Sequence, residues 1–469
     1  MIATFTLHAT GQKVSAELKE IERKYLIHFR RPDNYEGEFG FDWMRDNYKE
    51  ICNDYEALKK EYYDAEKKEK VEIEGQEYFV PWLSMFPNQK DVKLALKLEI
   101  IEGRISNKDI ITFSDVEGLS FEPNEIKLKD LQKKQEKKED FLVTVFCSKS
   151  LTENVCVDVI NKSGNHLIGK LNISKNDIKY YLPVTIINIS GNNLESNEVS
   201  ASEIQKIFNT QSFQQALIET DVRVNNLDIS KEDLLSKGAL STLIKEDNTE
   251  VIVANEKTLD VLTEINTSYN NNSNIGVNLF ILEVDRVHFR KYKSNIPNYS
   301  FFDVYQELEI NRNGGTIKKY KYVCRYSERQ IDNSDGKYFV IGGGQVGESR
   351  VIPTTQNSCV VYKGYDKKMS MVHEIGHLLG LSEIFLSLLN EKLYNRYKQK
   401  QILSLKEKEY VKDYEEMSKY NSFLFSEGYT DNFMDYYKPL SYSKSPIKTS
   451  FYRWQWIIMQ YEITNYIKI

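Results

Sequence analysis

Alternating apolar residues, followed by a series of short β-rich runs, predict β-structure over residues 91–190. Val92, Leu94, Leu96, Leu98 and Ile100 alternate in this way, which is the pattern of a half-buried strand. Further short β-rich runs follow, separated by turn residues: DIITF, FLVTVFC, VCVDVI, HLIGKLNI and YYLPVTIINI. Such regularly spaced short strands predict an all-β, immunoglobulin-like sandwich over residues 91–195.

The rest of the chain predicts further domains, because 469 residues are too many for one ordinary hydrophobic core. Residues 1–90 mix strand-like and helix-like segments, so an α+β domain is expected there. The polar, turn-rich segment at 191–200 is a candidate linker. From 200 to 469 the pattern is again α+β, and it includes a helix at 369–381. The predicted fold class is therefore multidomain, with an α+β region, a β-sandwich and an α+β C-terminal domain.

Charge and hydropathy exclude some partners. The formal net charge is -6 with acidic and basic residues intermixed, so no nucleic-acid partner is expected. No stretch of about 18 apolar residues is present, so no membrane span is expected. The first residues, MIATFTLHATGQ, lack the basic and apolar regions of a secretory signal. We therefore expect a protein that is cytoplasmic in the producing cell, and any export would proceed without a classical signal peptide.

The five cysteines are expected to be reduced. Their number is odd, and no two of them form a CxxC pair. A bridge between Cys147 and Cys156 is the alternative.

The segment His373-Glu374-Ile375-Gly376-His377 carries the most specific chemistry. Two histidines four residues apart lie on one face of a helix, where both imidazoles can bind one Zn²⁺. The carboxylate of Glu374 can take a proton from a water that zinc makes acidic. The segment therefore predicts Zn²⁺ as cofactor and Glu374 as the general base in hydrolysis of a protein or peptide substrate.

Two stretches resemble the metzincin family of zinc peptidases. HEIGHLLGLSE is similar to the signature HExxHxxGxxH, with Gly380 at the turn position, and TDNFMDYY resembles the Met-turn, with Met434 as its methionine. The resemblance implies a metzincin-like zinc endopeptidase domain at 200–469. It also implies that Tyr436 acts in catalysis, touching the metal or the developing oxyanion. Substrate would lie along an edge strand, for which SCVVYKG (358–364), after a glycine loop at 342–347, is the candidate.

The third zinc ligand departs from the family pattern. Glu383 stands where the family has His or Asp, and a Glu carboxylate is a competent zinc ligand, so we predict Glu383 as the third ligand. Asp435 in the Met-turn, and Glu415 or Glu416 on a later helix, are also possible third ligands.

The segments GEFGFDWMRDNY (37–48) and YFVPWLSMFPNQ (78–89) resemble the leading part of effector proteins linked to bacterial type VI secretion. This resemblance implies that residues 1–90 form a delivery or targeting domain of a secreted effector or toxin. A secretion-apparatus carrier and an immunity protein would then be its partners. The alternative function is a non-catalytic binding or delivery protein with a degenerate peptidase domain.

Overall fold

The computed structural model describes residues 23–191, 194, 199–269, 276–292, 303–312, 315–325, 331–345, 347–349, 357–364, 367–386, 423–436 and 446–465. The chain divides into two compact units, Met1–Lys179 and Tyr180–Ile469. The fold is mixed α+β with several sheets, and its strands are more extensive than its helices, so the coarse fold prediction is confirmed.

The first unit consists mainly of short strands. They are β1 (Lys24–Arg30), β2 (Gly40–Asp42), β3 (Val71–Ile73), β4 (Gln76–Tyr78), β5 (Trp82–Ser84), β6 (Lys93–Glu102), β7 (Ile110–Phe113), β8 (Leu119–Glu122), β9 (Glu125–Lys127), β10 (Phe141–Cys147), β11 (Val155–Asn161) and β12 (His166–Ile173). The helices are α1 (Tyr48–Ile51), α2 (Tyr55–Leu58) and α3 (Leu128–Glu136), with a 3-10 turn at Lys59–Tyr62.

Two sheets of the first unit share one hydrophobic core. Within the described residues, one sheet has the strand order β1-β6-β10-β8 and the other has the order β2-β5-β12-β11-β7-β9. Phe29 and Val143 from the first sheet and Val159 and Leu171 from the second belong to one buried cluster. Alternate side chains of each strand face this cluster, so the two sheets bury their apolar faces against each other.

The three predicted domains are corrected to two units. Strand β1 pairs with β6, and β5 pairs with β12, so the segments before and after residue 90 form the same two sheets. An isolated pair of strands is marginal in water, so the short early strands gain stability by joining sheets built by later ones. The run YYLPVTIINI, predicted to belong to the sandwich, begins the second unit instead.

The second unit contains the remaining elements. Its strands are β13 (Tyr180–Ser190), β14 (Ile218–Asp228), β15 (Leu240–Ile244), β16 (Glu250–Ala254), β17 (Val277–Leu282), β18 (Asp285–Lys291), β19 (Asp303–Arg312), β20 (Gly315–Arg325), β21 (Tyr338–Gln345), β22 (Gly347–Ser349), β23 (Ser358–Tyr362), β24 (Phe385–Leu386) and β25 (Phe425–Ser426). Its helices are α4 (Ala201–Ile207), α5 (Lys231–Ser236), α6 (Thr258–Tyr269), α7 (Lys367–Leu378) and α8 (Arg453–Glu462). A π-helical turn at Phe208–Ser212 and 3-10 turns at Phe213–Ala216 and Ile463–Asn465 complete it.

A largely parallel sheet organises this unit. Its order among the described residues is β14-β13-β17-β23-β22, and only β22 runs antiparallel to its neighbour. The prediction that SCVVYKG forms an edge strand is therefore wrong, because this segment is β23, which lies inside the sheet, and β22 forms the edge. The predicted glycine loop is also corrected, since Gly342, Gly343 and Gly344 lie within β21.

A small closed barrel, with strand order β15-β16-β18-β21-β19-β20, is part of the same unit. The sequence patterns did not predict it. Aromatic side chains fill part of its core, where the rings of Phe289 and Tyr320 stack with their centroids 4.0 Å apart. One residue separates the end of β21 from the start of β22, so a barrel strand continues into the edge of the neighbouring sheet.

Candidate metal centre

Helix α7 lies deep in the second unit, as its apolar sequence predicts. Met371, Val372, Ile375 and Leu378 are each at most 1% exposed, and the helix packs against β22 and β23. Apolar residues therefore surround the HEIGH segment, and burial fixes the rotation of the helix.

Gly380 ends this helix with a left-handed turn. Its φ is +83°, a conformation that glycine adopts without steric cost. The Leu381 amide donates to the Gly376 carbonyl at 3.0 Å, and the Gly380 amide donates to the His377 carbonyl at 3.0 Å. These are the two hydrogen bonds of a Schellman motif, which reverses the chain sharply after a helix. The predicted turn at Gly380 is confirmed, and it directs the following residues back toward the histidines.

Backbone carbonyls orient both imidazoles. Nδ1 of His373 donates to the Phe433 carbonyl at 2.8 Å, and Nδ1 of His377 donates to the Leu381 carbonyl at 2.8 Å. A proton held on Nδ1 leaves the Nε2 lone pair of each ring available to bind a metal. The two Nε2 atoms lie 3.1 Å apart.

Glu383 completes the group of donors. Its Oε1 lies 3.4 Å from Nε2 of His373 and 3.5 Å from Nε2 of His377. Ligands of a tetrahedral zinc at the usual bond lengths lie about 3.3–3.6 Å apart. The two carboxylate–imidazole separations fall in this range, and the 3.1 Å between the Nε2 atoms is slightly shorter, so small shifts of the rings would accommodate one small cation. The predicted trio is thus brought together, and it is the group with metal-ligand spacing found among the described residues.

The electrostatics of this cluster favour a positive charge. Burial works against charge on His373, but the Glu383 carboxylate outweighs it and raises the pKa of that imidazole to about 9. Burial also works against charge on Glu383, yet His373 and His377 hold its pKa far below the usual range. The cavity therefore stabilises one cation beside Glu383, whether that cation is a proton or a metal.

Glu374 lies against the edge strand β22. Burial raises the pKa of its carboxyl, even though His373 and His377 act in the opposite direction. A Cβ built on Gly347 would lie 2.3 Å from Oε1 of Glu374, so only glycine at that position of β22 leaves room for this side chain. Glu374 does not belong to the group of three donors.

The predicted Met-turn lies directly against helix α7. Met434 is fully buried, and a Cβ built on Gly376 would lie 2.7 Å from its sulfur. Its neighbour Phe433 supplies the carbonyl that orients His373. Close approach of this turn to the helix therefore depends on the glycine of HEIGH.

Asp435 has a structural role instead of a ligand role. Its carboxylate accepts hydrogen bonds from the amides of Gly428 and Thr430 at 2.8 and 2.9 Å and from the Thr430 hydroxyl at 2.7 Å. Nζ of Lys448 lies 3.5 Å away and is also buried. Both oxygens of Asp435 are therefore engaged away from the histidines. Glu415 and Glu416, which the sequence also allows as third ligands, lie outside the described residues.

Tyr436 lies at the rim of the cluster. Its ring centroid is 5.5 Å from that of His373, and the residue is 44% exposed. Burial and the nearby carboxylates of Glu383 and Glu374 raise the pKa of the Tyr436 hydroxyl. It therefore remains protonated and can donate a hydrogen bond.

Some supporting residues gave no signal in the sequence. Asn432 and Gln455 are fully buried, and their side-chain amides are paired at 2.6 Å, which ties the Met-turn to helix α8. The Asn432 side chain also accepts from the Met434 amide at 2.9 Å. Because Asn432 and Gln455 are far apart in sequence, only the folded chain shows that they support the site.

Comparison of the chain with models of known protein families, with curated proteins and with solved structures found no match. No helix in the described ranges is long and apolar enough to cross a membrane.

Proposed function

We propose that this protein is a zinc-dependent endopeptidase whose ligands are His373, His377 and Glu383 and whose general base is Glu374. The observation that supports it most is the convergence of three donor atoms, 3.1 to 3.5 Å apart, beside a fourth buried side chain that is not a ligand. The donor set of two imidazoles and one carboxylate is one that catalytic zinc uses.

When bound, zinc would supply Lewis acidity and lower the pKa of a water molecule at the site. The carboxylate of Glu374 would take the proton of the attacking water and return it to the amine of the departing peptide. Its raised pKa suits both steps, since a base that is too weak would not take the proton. The Tyr436 hydroxyl, held in its protonated form beside Glu383, would donate a hydrogen bond to the developing oxyanion.

Strand β22 is the proposed docking edge for the substrate. It pairs on one side with β23, and it is the terminal strand of the sheet within the described part of the chain. An extended peptide can add to such an edge through main-chain hydrogen bonds. Gly347 of this strand contacts Glu374, so a peptide on β22 would run close to the base.

Metal analysis and a base variant test the proposal together. Purified protein should hold about one zinc per chain and cleave an unfolded protein substrate in a chelator-sensitive way that added zinc restores. Glu374→Ala should keep the zinc and lower kcat by about 10²–10⁴, the range expected for a proton-transfer group. His373→Ala should lose both zinc and activity.

Absence of zinc together with absence of chelator-sensitive cleavage would overturn the proposal. Loss of zinc in Glu374→Ala would show that the role assigned to this residue is wrong. Zinc binding without cleavage of any substrate would favour a non-catalytic binding or delivery protein.

Export as an effector or toxin of type VI secretion, with a carrier and an immunity protein, stays a prediction. In the structure the two segments that carry this resemblance lie side by side, because β2 pairs with β5. A secretion assay in a producing strain with and without a working contractile apparatus would test it.

A further inference from the structure

A buried charged cluster lies outside the metal-binding residues. Arg286 is only 2% exposed, and its Nε donates to Oε2 of Glu348 at 3.0 Å. The hydroxyl of Tyr362, which is fully buried, donates to the same oxygen at 2.9 Å. Nη1 of Arg286 also donates to the Val287 carbonyl. The Glu348 side chain is 20% exposed, whereas Arg286 is buried, so removal of the carboxylate would leave an uncompensated buried charge on the guanidinium.

The cluster joins three elements that the sequence keeps apart. Arg286 lies on β18 of the barrel, Glu348 on the edge strand β22, and Tyr362 on β23. Arg286 is also the register partner of Gln345, the last residue of β21. Strand β22 begins two residues after Gln345. Arg286 therefore contacts the end of barrel strand β21 through its backbone and edge strand β22 through its side chain.

Strand β22 needs such an anchor. It has three residues and pairs only with β23 among the described strands, and so short an edge strand is weakly held by backbone hydrogen bonds alone. Yet its first residue, Gly347, lies against the carboxylate of Glu374. A small displacement of β22 would therefore release or crowd that side chain.

We propose that Arg286 and Glu348 are positioning residues that fix β22 so that Gly347 confines the Glu374 carboxylate. The barrel is then a support of the catalytic site, since Arg286 belongs to it. The effect of the position of β22 on the reaction rate rests on the proposed peptidase function. The effect of the Arg286–Glu348 ion pair on the position of β22 does not depend on that function.

The barrel offers a matched control. Oε2 of Glu307 accepts from Nζ of Lys318 at 2.9 Å and from the hydroxyl of Tyr320 at 2.7 Å, so it has the same two kinds of partner as Glu348. Glu307 and its partners lie on β19 and β20, and these strands do not pair with β22. Glu348→Gln and Glu307→Gln therefore make the same chemical change in the same unit.

Hydrogen exchange measured by mass spectrometry tests the first step without any activity. Glu348→Gln should speed exchange in the peptide that covers residues 345–349, whereas Glu307→Gln should leave that peptide unchanged and affect residues 303–325. Unchanged exchange at 345–349 in Glu348→Gln, or equal changes there in both variants, would overturn the inference.

Steady-state kinetics tests the second step. Glu348→Gln should keep its zinc and lower kcat about 10-fold or more, because small misplacements of catalytic groups cost one to two orders of magnitude. Glu307→Gln should change kcat less than about 2-fold. Arg286→Lys keeps the charge and should retain more activity than Arg286→Met. A loss confined to KM, or equal losses in the two glutamine variants, would overturn the positioning role. If the wild type cleaves no peptide, the proposed function fails, and the exchange measurement still decides this inference.

Discussion

Gly380→Ala tests whether the turn after α7 places the third ligand. The glycine has φ +83°, and an alanine forced into this left-handed region costs about 1–2 kcal/mol. A new Cβ would also lie 3.2 Å from Cγ2 of Ile458 and 3.3 Å from Cγ of Glu462, both on α8. Such mild overpacking adds about 1 kcal/mol, so the expected total is about 2–3 kcal/mol of lost stability.

Gly238→Ala is the control for backbone strain. Gly238 follows helix α5, and its φ is +76°. It has the same pair of hydrogen bonds as Gly380. The Ala239 amide donates to the Leu234 carbonyl at 2.9 Å, and the Gly238 amide donates to the Leu235 carbonyl at 3.1 Å. A Cβ there would meet no atom within 4 Å. This variant should therefore show only the strain of about 1–2 kcal/mol.

Two measurements separate the variants. Hydrogen exchange of the buried amides of β17 reports the free energy of unfolding of the second unit, and competition with a chelator reports zinc affinity. Gly380→Ala should weaken zinc binding about 10-fold or more, because Glu383 follows three residues later, and Gly238→Ala should leave it unchanged. Equal stability losses with unchanged zinc affinity in both variants would refute the reasoning that this turn positions Glu383.

Three further outcomes are expected. Glu383→Ala should weaken zinc binding about 100-fold. Asp435→Ala should keep the zinc stoichiometry and lose about 1–3 kcal/mol of stability. A zinc titration in which both variants lose zinc affinity equally would contradict the ligand assignment. Gly376→Ala should cost about 1–3 kcal/mol in the wild type and clearly less in a Met434→Ala background, and additive unfolding energies would argue against their contact. Burial acts to raise the pKa of Asp109, but hydrogen bonds to its carboxylate hold this pKa below the ordinary value of 3.8. The ionised carboxylate therefore stabilises the folded state at pH values above 3.8, and this contribution is lost as the pH falls through the folded-state pKa. Asp109→Asn should flatten this acid-induced loss in unfolding measurements between about pH 2 and 5, and an unchanged slope would contradict the assignment.

The domain organisation shows where sequence patterns stop being informative. Alternation of apolar residues predicts β6 and its neighbours correctly, because the period of two reflects which side chains face the core. The same pattern does not tell which strands pair. Strand β1 lies more than 60 residues before its partner β6, and the short strand β5 pairs in parallel with β12, so the predicted boundary at residue 90 was wrong.

The barrel was missed for a related reason. Helix α6 and strand β17 of the large sheet separate β15 and β16 from the other four barrel strands along the chain, so the six strands do not form one continuous series. Strands β19 and β20 carry many charged residues, which weakens the apolar signal of each strand. Closure of a barrel depends on pairing between its first and last strands, and a single-sequence pattern does not contain that information.

The sequence by itself determined the local chemistry of the site. The spacing of His373 and His377 places them on one helix face, and Gly380 allows the turn that brings Glu383 back, because helix geometry and glycine conformation act within about ten residues. Only the tertiary structure decided what holds these groups in place. The carbonyl of Phe433 orients His373, Gly347 confines Glu374, and Arg286 anchors the strand that carries Gly347. These contacts join elements that are distant in sequence, and burial in a common core, not local propensity, brings them together.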